Sequence, residues 1–346
     1  MLPRNTTSKP DVQTVAADPQ WLPVNLMNGE TLQFLHVTRP ERASVAFLTD
    51  EYLQAQSQSA CSFGLRQVES ALPTSASPAG FVFHSAFCRS TLLTRALDLP
   101  GVAHGLQEPQ IINDVAVMER HKRLDRSVLD PVMNLLARPV QAGERVVIKP
   151  SNEANLLIPT LLTAQADARA ILLYAPLDRF LRSVAGKALW GRGWARNLYL
   201  NLRSDHPLPL GFSERELFGQ TDLQIAALVW LTHLDQFAAA RARFGDRVRF
   251  LDSEVFIARK ADTLAAAARH LGLAGTADLW AERADSAIFT EHSKVVGSRF
   301  DGSEAKDRAD SVALNEEVGL IDQWVDSLAK HIGLQLQPPP EADLMN

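Results

Sequence analysis

The chain has 346 residues, of which 46% are hydrophobic and 22% charged, and a formal net charge of −5. That composition is ordinary for a soluble globular protein with one large core or two smaller ones. It gives no global electrostatic case for nucleic-acid binding, so any anion site must be a local concentration of positive charge.

Cys61 and Cys88 are the only cysteines, too few for a disulfide framework. The first twenty residues hold no apolar run of signal-peptide length, and no stretch approaches a membrane span. A cytoplasmic protein is expected.

Residues 1–20 are polar and are expected to be mobile. Leu32, Phe34, Leu35 and Val37 suggest short strands after Trp21. Helices are expected over Ala43–Gln54 and Ser62–Leu72, with a loop over Pro73–Pro78. These features make 1–75 an N-terminal extension, partly mobile, on a main domain of 76–335. Residues 336–346 form a flexible tail.

The main domain opens on Phe81–Asp98. Phe81, Val82 and Phe83 make a short strand, and His84 to Arg89 make a tight turn. Leu92, Leu93, Ala96 and Leu97 then give a helix its apolar face, with Ser90 and Thr91 at its start. A helix start leaves backbone N–H groups unpaired and carries partial positive charge. The plain reading is a capped helix after a strand. The chemical reading is a cradle for phosphate or sulfate. Cys88 sits in this turn, either as a small apolar side chain or as a lone catalytic thiol.

A loop with Glu108–Pro109 follows, then a polar-faced helix and another over Arg126–Ala137. Arg145–Lys149 is an apolar strand ending in lysine, succeeded by a helix over Glu153–Thr163. Ala168–Tyr174 is a third strand, with a helix at Phe180–Leu189. Gln220–Phe244 is a long helix, Asp246–Asp252 a fourth strand, and Ala261–Leu271 a helix. This alternation predicts an α/β fold with a mainly parallel sheet and helices on both faces. Ligands of such sheets bind beyond the carboxyl ends of the strands. The loops His84–Arg89, Lys149–Asn152, Ala175–Ser183 and Asp252–Val255 therefore face one crevice.

The ordered motifs of 81–300 resemble the P-loop sulfotransferases, especially bacterial members and the tyrosylprotein enzymes. The resemblance implies their nucleotide-hydrolase-like fold. It also implies transfer of a sulfuryl group from 3′-phosphoadenosine 5′-phosphosulfate to a hydroxyl or amine. Ala86–Leu92 occupies the family's Pro-Arg/Lys-Ser-Gly-Thr-Thr-Leu loop. Ser90 and Thr91 match its hydroxyls, with Cys88 and Arg89 beside them, on the donor's 5′ side. Phe87 stands in place of the basic residue and Arg89 in place of glycine. Glu108 falls where the tyrosylprotein enzymes carry their base. Lys149, at a strand end before Pro150, matches the lysine that stabilises the leaving oxygen. In the 3′-phosphate segment Ser183 matches, Ala175 replaces an arginine, and Arg179 and Arg182 are the nearest substitutes. Leu271-Gly272-Leu273 is a fold marker. His292 and Lys294, with Arg299 and Arg308 beyond, resemble a segment that folds over the donor. No metal is implied, since in-line transfer needs positioning and charge stabilisation.

Arg179 to Arg203 holds six basic residues and no acidic one, interleaved with Trp190, Trp194 and Tyr199. This is either a docking face for an anion or a solvated helix face. Ser204–Gly211 reads as a flexible lid or acceptor loop. No Walker glycine–lysine pattern, zinc-ligand spacing or Gly-x-Ser-x-Gly turn supports a kinase, a zinc enzyme or a serine hydrolase. The expectation is sulfuryl transfer with an altered donor site, to a small-molecule or peptide acceptor the sequence does not identify. The alternative is a non-catalytic module of the same fold that binds a nucleotide or a partner.

Overall fold

The computed structural model describes residues 10–57, 59–73, 78–290 and 312–346. Its centre is a five-stranded parallel sheet: β4 (Gly80–His84), β5 (Ala103–Gln107), β6 (Arg145–Lys149), β7 (Arg169–Tyr174) and β8 (Val248–Asp252), in the order β5-β6-β4-β7-β8. The three earlier strands, β1 (Trp21–Met27), β2 (Thr31–His36) and β3 (Ala60–Gly64), form a separate antiparallel meander. β4, β5 and most of β6 and β7 are buried along their length, as strands covered on both faces must be.

The chain crosses one way from β4 to β5 and the other way from β5 through β6 and β7 to β8. Right-handed crossovers then put helices on both faces. The helix Ser90–Leu97 packs with Lys260–Leu271 on one face. The segment 152–164 and the long helix Asp222–Phe244 cover the other. Among the described residues no helix is long and apolar enough to cross a membrane.

Four strands of the sheet match the sequence expectation. The fifth, β5, was expected as loop. Its sequence AHGLQ has a glycine where a strand former belongs, and helix packing requires that glycine. A Cβ on Gly105 would lie 3.0 Å from the Thr94 carbonyl oxygen, in the helix lying across it.

The ends of the chain also differ from expectation. Residues 10–20 include the helix Val12–Ala17, with Val15 and Ala16 fully buried. The Arg138 guanidinium ties it down by donating to the carbonyls of Val15, Ala16, Asp18 and Trp21 at 2.6–3.1 Å. The helix expected over Ala43–Gln54 is two short ones, Arg39–Ser44 and Asp50–Leu53. The first three residues of Ser62–Leu72 are strand, and the helix runs from Leu65 to Ala71. The tail expected to be flexible packs on β8. Ala342 and Leu344 are buried there, and the Leu344 N–H donates to the Phe250 carbonyl at 2.8 Å.

Candidate functional site

Because all five central strands are parallel, their carboxyl ends share one edge. The turn after β4 is built without glycine. Ala86, Phe87 and Arg89 have φ of 69°, 51° and 62°, the left-handed region that ordinary residues avoid. Buried polar groups hold it there. The Ser85 N–H donates to the Leu173 carbonyl (3.1 Å), and its hydroxyl accepts the Ala175 N–H (3.3 Å). His84 Nδ1 accepts the Ala86 N–H at 3.1 Å. That fixes the imidazole proton on Nε2, which donates to the Pro150 carbonyl at 3.1 Å. Such strain persists only where the surroundings over-determine it.

Arg89 caps the helix Ser90–Leu97, and Ser90 and Thr91 are buried in its first turn. Cys88 is fully buried beneath the turn, and burial pushes its thiol up to about 11. Its side chain is core, so the catalytic-thiol reading of the sequence is withdrawn.

Glu108 and Lys149 meet. Gln107 and Lys149 are register partners on β5 and β6, so the residue after Gln107 turns over the end of β6. Glu108 has φ of 47°, and its N–H donates to the Lys149 carbonyl at 2.7 Å. Lys149 is wholly buried, and its ammonium donates to Glu108 Oε1. The Glu108 side chain keeps 20% of its surface in solvent. His84 Nε2 lies 3.7 Å from the same carboxylate oxygen. His84 has no role in the sequence expectation, although its place as the last residue of the opening strand is a usable signal. A second residue without an assigned role is Phe47, whose ring centroid is 5.5 Å from Lys149 Nζ.

Arg89, Arg179 and Arg182 all have protein partners. Glu254, just past β8, accepts from Arg89 and lies 3.2 Å from Arg179 Nη2. Burial works against the Glu254 carboxylate, but Arg89 and Arg179 hold its pKa below the usual range. Arg182 donates to Asp178 (2.7 Å) and to Asn315 (2.6 Å). The Ser183 hydroxyl donates to the Arg179 carbonyl at 2.8 Å, within its own helix. The structure therefore brings Arg89 and Arg179 to one point, while Arg182 and Ser183 are bound elsewhere. Ala175 gives its N–H to Ser85 and its carbonyl to Trp230 Nε1 (2.8 Å). His292 and Lys294 lie outside the described residues.

Phe87 packs in an aromatic cluster, 5.0 Å from Trp194 and 5.9 Å from Phe180. The basic stretch around it is largely neutralised. Arg192 and Arg196 share Asp222, and Arg203 pairs with Glu214. Ser204–Gly211 is not a free lid. Asp205 is clamped by Arg120 and His206 by Asp235, and the loop lines a cavity of about 160 Å³ with Tyr199, Phe212 and Leu217.

Comparison with protein-family models finds no match, and comparison with curated proteins finds none. Among solved structures the chain is similar to a sulfotransferase from Alicyclobacillus acidocaldarius, with 15% identity, 76% of this chain and 98% of that chain covered, and a TM-score of 0.40. It is similar to a sulfotransferase from Mycobacterium avium, at 12% identity, 96% and 94% coverage and a TM-score of 0.44. It is also similar to the sulfotransferase domain from the curacin biosynthetic pathway, at 14% identity, 76% and 100% coverage and a TM-score of 0.40.

Proposed function

We propose that this protein transfers a sulfuryl group from 3′-phosphoadenosine 5′-phosphosulfate to a hydroxyl or amine acceptor. The observation that carries the reading is the contact between Lys149 and Glu108 at the carboxyl edge of the sheet. Transfer of an anionic group needs a cation where charge develops on the leaving oxygen, and a base for the acceptor's proton. A buried lysine and a part-exposed glutamate supply both within one contact.

The pairing of Glu254 with Arg89 and Arg179 supports an anion site at the turn after β4. A carboxylate already lies between the guanidinium groups of Arg89 and Arg179, so an anion is accommodated at that point. When bound, the donor supplies the activated sulfuryl group. Ser90, Thr91 and the N–H groups of the helix start would hold its 5′ side together with Arg89. Arg179, exposed and paired with Glu254, would meet a second phosphate once that carboxylate is displaced. Lys149 would hold the bridging oxygen, and Glu108 would take the acceptor's proton at a carboxylate oxygen.

A second reading, a non-catalytic module that binds a nucleotide, is favoured by Phe87. Its ring is packed where the family carries a cation. Calorimetric titration with adenosine 3′,5′-bisphosphate, paired with donor turnover, separates the readings. Binding with turnover that is lost in Lys149→Met supports transfer. Binding without turnover supports the module, and no binding at millimolar ligand removes both.

A further inference from the structure

The Lys149–Glu108 pair is walled on one side by the N-terminal extension, to which the sequence assigned no chemistry. Phe47 lies between the helices Arg39–Ser44 and Asp50–Leu53, half-buried, with its ring 5.5 Å from the Lys149 ammonium. Backbone bonds fix its place. The Leu48 N–H donates to the Gln107 carbonyl at 2.8 Å, and the Leu48 carbonyl accepts the Gln110 N–H at 3.0 Å. Those partners flank Glu108 and Pro109 on either side. Leu48 and Leu53 are buried, and Tyr52 meets Phe47 edge-on at 6.0 Å. Further back, Arg39 pairs with Asp98 and Glu144 and donates to the Ala103 carbonyl at 2.6 Å. The extension is thus tied to both ends of the strand that delivers Glu108.

A lysine head is a compact cation on a flexible stem, with three N–H donors. An aromatic face attracts that cation, yet it takes no proton and makes no strong bond that would compete with substrate. Glu108 holds the ammonium directly, with His84 beyond that carboxylate, and the Phe47 ring lies 5.5 Å from it.

We propose that Phe47 is a positioning residue for Lys149, so that the N-terminal extension completes the transfer site. This rests on the sulfuryl-transfer reading. Phe47→Leu keeps most of the apolar volume and removes the aromatic face, whereas Phe47→Trp keeps the face. The readout is release of adenosine 3′,5′-bisphosphate from the donor with water as acceptor, on full-length protein whose folding is checked by circular dichroism.

Phe47→Leu should lower kcat about tenfold with donor KM nearly unchanged, and Phe47→Trp should retain kcat. If Phe47→Leu does not fold, Phe47→Met takes its place. Wild-type kcat in the folded aliphatic variant overturns the proposal. So does a change confined to KM, or an equal fall in the leucine and tryptophan variants. Absence of donor turnover in the wild-type protein removes the transfer reading itself, and the positioning role with it.

Discussion

The carboxylate of Glu254 reaches from the end of β8 to the guanidinium of Arg89 at the cap of the helix Ser90–Leu97, and its second oxygen lies 3.2 Å from Arg179. An acid between the basic residues nominated for donor phosphates acts as an internal competitor for them. Both guanidinium groups are exposed and Glu254 is partly so, which leaves each pair worth only about 0.2–1 kcal/mol. A doubly phosphorylated ligand can displace such a partner. Glu254→Gln should therefore tighten adenosine 3′,5′-bisphosphate binding about threefold to tenfold by calorimetry. An unchanged or weaker Kd would show that Arg89 and Arg179 do not meet the ligand.

Lys149 and Glu108 differ in exposure, and the difference predicts an asymmetry. Lys149 is 0% exposed and Glu108 20%. Glu108→Leu strands an ammonium away from water and should cost about 3–5 kcal/mol of stability. Lys149→Met leaves a carboxylate that water can reach, and should cost less. The double variant should lose less than the sum of the single ones, because neither charge is left alone. Urea titration of the four proteins measures this, and strict additivity would mean that the two groups are not coupled. In donor turnover, Lys149→Met should lose about a hundredfold or more.

What the sequence revealed here follows from the distances over which each feature is encoded. Lys149 and Glu108 were legible because each ends a short local pattern, an apolar run or a loop before proline. The parallel sheet was legible from runs such as Ala168–Tyr174. β5 was not, because Gly105 answers to the helix packed across it and His104 to Arg42, 3.1 Å away on the extension. The capture of Arg89 by Glu254 joins residues 165 apart, and no local pattern announces it. Phe47 likewise becomes part of the site only once the extension folds back onto β5. The helix Val312–Ile332 is a different case. Leu314, Val318, Ile321 and Val325 form a plain helical stripe, legible from spacing alone although no helix is expected there above.

Buried histidines set an acid limit on the fold. His233 is fully buried, and its Nδ1 lies 3.0 Å from Asn155 Nδ2 and 3.2 Å from Gln236 Oε1. Burial lowers its pKa from 6.5 to about 4, and burial likewise lowers His270 to about 4. Between those values the unfolded chain binds more protons than the folded one. Stability from these groups is therefore complete above about pH 6.5 and lost as the pH falls toward 4. Each contributes about 3 kcal/mol at neutral pH. Urea midpoints should fall steeply between about pH 7 and pH 4.5, and His270→Gln should flatten part of that slope. A midpoint independent of pH across this window would contradict the buried neutral state.

Cys88 gives the sharpest test of how the turn after β4 is packed. It is fully buried, and burial raises its thiol to about 11 against the opposing influence of the Lys149 charge. The thiolate is the reactive form, so little of it exists at neutral pH and reagent cannot reach it. Cys61 is also raised to about 11 by burial, but it is only half-buried and serves as an internal control. A thiol reagent should modify native protein at Cys61 first, and should reach Cys88 only at the rate of unfolding. Cys88→Ala should leave adenosine 3′,5′-bisphosphate affinity within about twofold, since the thiol's contacts to Ser85 and Ser90 are weak hydrogen bonds and the turn is also held by Ser85 and His84. Fast labelling of native Cys88 accompanied by loss of ligand binding would mean that the turn opens, and that the strained φ angles at Ala86, Phe87 and Arg89 belong to only one of its states.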